Sequence, residues 1–128
     1  TNVSYAIPDN DSEGTTMVFD FRRFPALRVE HAVVTATILH PHRGYVALTL
    51  VSAQGTRSRL AELHPDINAN YESWRFSSVI HWGESSQGEW KLQIADLRAL
   101  DVGMVTAARL DLYGTDAPQQ THPWLTPL

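Results

Sequence analysis

An all-β sandwich or jelly roll of about eight strands is predicted by three features. Apolar and polar residues alternate with period two along most segments, turn signals recur about every 8–12 residues, and no stretch carries a 3.6-residue apolar period. The chain has 128 residues, enough for one domain with one core. With 43% hydrophobic and 19% charged residues it has neither the composition of a disordered tail nor that of a membrane protein.

The elements follow in order. Pro8 to Thr16 is polar and turn-rich, so the first strand is expected at Met17 to Phe21. From Arg28 to Leu39, Ala32, Val34, Ala36 and Ile38 would line one face, with His31, Val33, Thr35 and Thr37 on the other. Pro41 to Gly44 is a turn by composition, and a strand bearing Val46, Leu48 and Leu50 could then close a hairpin on the one before. Another strand, Thr56 to Leu60, should turn Arg57 and Arg59 to water. Ala61 to Ser73 reads as the longest irregular stretch.

Short strands are expected at Trp74 to Phe76 and Val79 to Trp82, then a polar loop from Gly83 to Gly88. Trp90, Leu92 and Ile94 alternate in the next strand. In the last one Met104, Thr106, Ala108, Leu110 and Leu112 share a face opposite Arg109 and Asp111. The segment after Thr115 has three prolines and reads as tail or linker.

Charge and composition narrow the function. A net charge of −4 with scattered Lys and Arg disfavours binding to nucleic acid by counterion release. Without cysteine there is no thiolate metal site, thiol nucleophile or disulfide. No apolar run reaches the roughly 20 residues of a membrane-spanning helix. Thr1 in place of an initiator Met reads as the start of an excised fragment.

Candidate chemistry is sparse. The string Gly83-Glu84-Ser85-Ser86-Gln87-Gly88 lacks the spacing of a nucleophile elbow and reads as a polar loop, so no catalytic residue is assigned. His31 and His81 read as core or cross-strand residues. His40 and His42, two apart, could share a strand face, but two ligands do not make a structural zinc site. Asp9, Asp11 and Glu13 form an acidic loop in which Asp9 and Asp11 are candidate calcium ligands. Asp96 and Asp101 are a second acidic pair. Asn2-Val3-Ser4 and Asn10-Asp11-Ser12 would accept glycans in a eukaryotic secretory pathway.

Eight strings in order carry a resemblance. They are Ile7-Pro8-Asp9-Asn10-Asp11, Arg28-Val29-Glu30-His31, His42-Arg43-Gly44, Ser52-x-x-Gly55-Thr56-Arg57-Ser58, Trp74-x-Phe76, His81-Trp82-Gly83-Glu84, Gly88-Glu89-Trp90-x-Leu92 and Leu112-Tyr113-Gly114-Thr115. Together they resemble the P domain, or Homo B domain, of kexin- and furin-like subtilisin proteases. The match runs over roughly residues 5 to 116, which sets the expected domain at 1–116 and a tail or linker at 117–128. The chain departs from the family pattern at Tyr45-Val46 (usually Asp-Leu), Ala53 (Pro), Asn70 (Gly) and Ser73 (Asp). Asn at a glycine position is tolerable because Asn visits positive φ, whereas loss of Asp at Tyr45 removes a partner for Arg43.

The resemblance implies a jelly-roll sandwich of the galactose-binding-domain-like kind beside a subtilisin-like catalytic domain of the same chain, in a secreted or extracytoplasmic protease. It also implies a role in stabilising that neighbour and tuning its calcium and pH dependence. Tyr45, Tyr71 and Trp82 are the candidate docking residues. The competing expectation is a carbohydrate- or surface-binding jelly roll that stacks sugars on exposed aromatic rings.

Overall fold

The structure is a computed structural model that describes residues 5–7, 11–24, 26–62, 68–97, 103–114 and 120–124; at 5–6, 11–13 and 120–124 it describes the backbone alone. Nine strands are described: β1 (Tyr5–Ile7), β2 (Asp11–Asp20), β3 (Val29–Leu39), β4 (Val46–Val51), β5 (Arg57–Ala61), β6 (Tyr71–Ser78), β7 (Glu89–Asp96), β8 (Gly103–Gly114) and β9 (Gln120–Trp124). The helical content among the described residues is one 3-10 turn, Arg43–Tyr45.

The strands form two antiparallel sheets, ordered β1-β8-β3-β6 and β2-β7-β4-β5, with β9 added beside β8. The first eight strands therefore have the double-Greek-key order of a jelly roll. β1 and β9 lie along β8 at different heights, Ile7 pairing with Gly103 and β9 covering Ala108 to Leu112. The segment expected as tail thus contains an antiparallel strand. Its Pro123 offers no ladder donor, which is tolerated on a strand at a sheet edge.

Much of the core consists of inward residues that the alternation predicts. Ala32, Val34, Ala36 and Ile38 of β3, Val46, Leu48 and Leu50 of β4, and Trp90, Leu92 and Ile94 of β7 are all buried. On β4 the outward Ala47 and Thr49 are buried as well, beneath Arg57, Arg59 and Gln93, with Arg57 Nη2 donating to Gln93 Oε1 at 3.0 Å. The arginines have exposed surface as expected, and they line one depression together with the small residues of the neighbouring strand.

Four further expectations about elements are corrected. β2 starts at Asp11, not Met17, because a bulge between Asp11 and Thr15 lets this turn-like sequence join the ladder with β7. Gly14 sits in that bulge at φ 61°, where a Cβ would collide with the Ile94 carbonyl oxygen. β3 and β4 form no hairpin, since the turn at Arg43–Tyr45 carries the chain to the other sheet. Periodicity assigns a face to each strand without naming its partner.

Val79 to Trp82 is a turn rather than a strand, closed by Trp82 N–H to Val79 C=O at 3.2 Å. On β8 the inward frame flips. Thr37 pairs with Ala107 and Ile38 with Val105, so Val105 is buried and Met104 is exposed.

Two strands border one side of the sandwich where the sheets meet, β5 and β6. The buried Ser58 and Ser78 hydroxyls link them at 2.6 Å. β6 is also bulged: Glu72 and Ser73 stand opposite Thr37 alone, with Ser73 at φ 49° donating its N–H to Thr37 Oγ1 at 2.9 Å.

Candidate functional site

Among the described residues the most exposed large apolar side chains are Val79, Ile80 and Trp82, at 68%, 58% and 63% exposure, and they occupy one turn. His81, between them, is fully buried. The turn is fixed by backbone hydrogen bonds: Gly83 N–H donates to Val29 C=O, Val29 N–H to Glu84 C=O, and Glu84 N–H to His81 C=O. Gly83, at φ 86°, allows the chain to reverse there.

Ser86 anchors the far end of the loop. Its N–H donates to Leu27 C=O at 2.9 Å, its Oγ accepts from Leu27 N–H at 2.9 Å, and its carbonyl accepts from Trp90 Nε1 at 2.9 Å. The sequence string that superficially suggests a nucleophile is therefore structural. A cleft of about 260 Å³ lined by Ala26, Leu27, Arg28, Gly83 and Ser85 adjoins the turn.

His81 lies edge-on to the Trp90 ring, with centroids 5.1 Å apart. Among the described residues neither ring nitrogen has a hydrogen-bond partner. Glu84 Oε2 is 3.9 Å from Nδ1, too far for a hydrogen bond. Burial lowers the His81 pKa, and the Glu84 charge opposes that shift.

Of the expected docking residues, Trp82 is the exposed one. Tyr45 is half-buried, against His42 at 5.1 Å and His40 at 6.3 Å. Tyr71 is corrected: it is 2% exposed and belongs to the core, so its ring is unavailable to a partner. It pairs with Ile38 in the ladder, whereas Ser78, just before the exposed turn, pairs with Ala32. The tyrosine and Trp82 are thus at opposite ends of β3, and the three residues make no common surface. Val79 and Ile80 were concealed by the strand expectation, although two adjacent bulky apolar residues break the alternation a surface strand requires.

The other polar constellations are committed to the fold. His42 N–H donates to His40 Nδ1 at 2.9 Å, so Nε2 carries the proton and donates to Asp96 Oδ2 at 3.0 Å. Both side chains of the His40–Asp96 pair are fully buried, and neither imidazole nitrogen is open to a substrate. His31 is cross-strand as expected, stacked on Tyr113 with centroids 4.3 Å apart.

Asn70 takes the left-handed conformation at φ 63°, and its Oδ1 accepts from His40 N–H at 2.8 Å. Arg43 lies over the Trp74 ring at 4.5 Å and the Tyr71 ring at 5.5 Å, a cation–π arrangement, and its Nη1 donates to the Asn70 carbonyl at 3.3 Å. For calcium, Asp9 lies outside the described residues, as do Asp101 and the side chain of Asp11. Among the described residues no three His, Cys, Asp or Glu side chains come together as a metal site. Asn2 and Asn10, the candidate glycan acceptors, are likewise outside them.

Comparison with known proteins gives one answer at two levels. The family model for the proprotein convertase P-domain matches residues 29–112. The chain is 38% identical over 105 residues to human proprotein convertase subtilisin/kexin type 6, covering 77% of this chain and 10% of that protein. It is 35% identical over 97 residues to protease KEX1 of Kluyveromyces lactis (74% and 13%). With endoprotease bli-4 of Caenorhabditis elegans it is 41% identical over 101 residues (76% and 11%). The chain thus spans about a tenth of these relatives. A solved serine protease of Aeromonas sobria shares the fold, with a TM-score of 0.67 at 20% identity over 96% of this chain and 23% of that one. Among the described residues no helix is long and apolar enough to cross a membrane.

Proposed function

The chain belongs to the proprotein convertase P-domain family, and from this we propose that it is the non-catalytic accessory domain of a secreted subtilisin/kexin-like serine endopeptidase. It docks on the catalytic domain of the same protein, stabilises it, and tunes its dependence on pH and calcium. The observation that carries the non-catalytic reading is the fate of the residues that could do chemistry: Ser86, His40 and Asp96 are buried and hydrogen-bonded within the fold. Hydrolysis is left to the rest of the protease.

Two physical effects support the accessory role. Covalent tethering gives the docked pair a high effective concentration, commonly in the millimolar range for a short flexible linker. Binding that recognises only the folded neighbour stabilises it by linkage. The pH component is supported by His81, a buried neutral histidine inside the exposed turn. The calcium component is proposed for Asp9 and Asp11.

The sugar-binding alternative receives little support from the aromatic side chains. Arg43 lies over the Trp74 ring, and Trp82 follows the opposite end of β6, so these two exposed tryptophans form no joint stacking platform. The test is to express the parent protease with and without this domain. The truncated form is expected to accumulate poorly and to inactivate faster on heating. Equal yield and equal inactivation rates would refute the accessory role.

A further inference from the structure

We infer that the docking contact is made by Val79, Ile80 and Trp82, which seat in an apolar depression on the tethered catalytic domain. The inference rests on the accessory role proposed above. It starts from an imbalance in exposure among the described residues: these three side chains are 58–68% exposed, while Leu39, Trp74 and Met104, the other exposed large apolar residues described, reach only 38–42%. Nothing within the domain requires large apolar groups at these positions, because their surfaces are turned away from its core.

The turn is also prepared for binding. Its backbone is tied to Val29 by two hydrogen bonds, and His81 fixes its underside against Trp90. A preordered segment loses little freedom when it is covered, and tryptophan is the residue most enriched among side chains that dominate interfaces. The adjoining cleft with Arg28 supplies a polar rim.

Area decides between occupants. The three side chains offer roughly 300–400 Å² of exposed surface, about the size of a functional patch on a monomer. That is about half of the roughly 800 Å² per partner that a free, stable complex buries. A second copy of this chain, held only by concentration, would find too little surface here. A catalytic domain on the same chain needs no more, because tethering replaces the missing affinity.

The experiment uses the full-length parent protease in three forms: unmodified, lacking this domain, and carrying Val79→Ser, Ile80→Ser and Trp82→Ser together. A fourth form with Met104→Ser, an exposed apolar residue away from the turn, is the control. The triple variant is expected to shorten the half-life at elevated temperature by about tenfold, close to the deletion, while the control matches the unmodified enzyme. In the unmodified protease, hydroxyl-radical labelling is expected to modify Trp82 less than Trp74, reversing the order of their exposure in this domain.

If the deletion shortens the half-life but the triple variant does not, the docking surface is wrong and the accessory role stands. If the deletion has no effect, the accessory role fails and the inference goes with it. Should the triple variant fail to accumulate, labelling of the unmodified enzyme decides, and Trp82 labelling faster than Trp74 overturns the assignment. Protection of Trp82 that disappears on dilution would identify a second copy as the occupant and also overturn it.

Discussion

Replacing Ser86 by Ala tests whether the loop behind the exposed turn is held as the structure shows. The substitution removes one oxygen, so the apolar transfer term is negligible and the loss is one of hydrogen bonding. Leu27 N–H, buried and bonded to Ser86 Oγ at 2.9 Å, would lose its acceptor. A neutral hydrogen bond contributes about 1 kcal/mol, and leaving a buried donor unsatisfied costs about 1–3 kcal/mol in all, so the expected destabilisation is about 2 kcal/mol. The Ser86 backbone bonds to Leu27 C=O and Trp90 Nε1 survive, which limits the loss. For a domain of this size, that is a fall in melting temperature of about 6–10 °C. Thermal unfolding followed by calorimetry would measure it, with Ser85→Ala as control because Ser85 Oγ receives only the exposed Gln87 N–H at 3.3 Å. A drop below about 0.5 kcal/mol for Ser86→Ala, or an equal drop for both variants, would refute the anchoring role.

Gly14→Ala should cost at least about 2–3 kcal/mol, measured by urea unfolding, because the methyl group meets the Ile94 carbonyl and the residue is held at φ 61°. Asp96→Ala should cost about 3 kcal/mol by leaving the His40 Nε2–H buried without an acceptor, and Asp96→Asn, which keeps an oxygen there, should cost clearly less in the same assay. His81 gives the domain a pH dependence of known sign. Its folded pKa is lowered, so its contribution is fully present above the unfolded pKa of about 6.5 and is lost as pH falls below it, by at most about 1.4 kcal/mol per pH unit. Urea midpoints from pH 8 to pH 5 should therefore decline for the native domain and decline less for His81→Gln; parallel curves would exclude His81 as the origin.

Much of the sandwich is legible from alternation. β3, β4 and β7 follow from their inward residues, and the exposed Arg57 and Arg59 follow from theirs, because one face of each strand must leave water. Asn70 is legible too, as a residue that tolerates the left-handed conformation. The misreadings occur where the backbone departs from a two-residue period. Gly14 draws an apparent turn sequence into β2, and the irregularity on β8 exchanges the environments of Met104 and Val105. β9 was hidden by its proline, and Tyr71 by its amphipathic character, since a phenol suits either a wet surface or a hydrogen-bonded core. Trp82 was legible as a candidate contact, but its neighbours Val79 and Ile80 acquire that meaning only when the segment is seen as a turn.

The β5 and β6 borders of the two sheets bear on how such a domain survives at high concentration on its own. Open strand borders invite molecules to stack into fibrils by continuing the amide ladder. Along β6 an incoming strand would lose register at Glu72 and Ser73, where two residues occupy the place of one, and it would face the charge of Arg75. Along β5 it would meet Arg57 and Arg59, and the Ser58–Ser78 clasp keeps both borders close to each other. Along these two strands surface adhesion and polymer growth are thereby uncoupled: the domain can carry a greasy knob at Trp82 while this side of the sandwich offers poor seeding ground for aggregates.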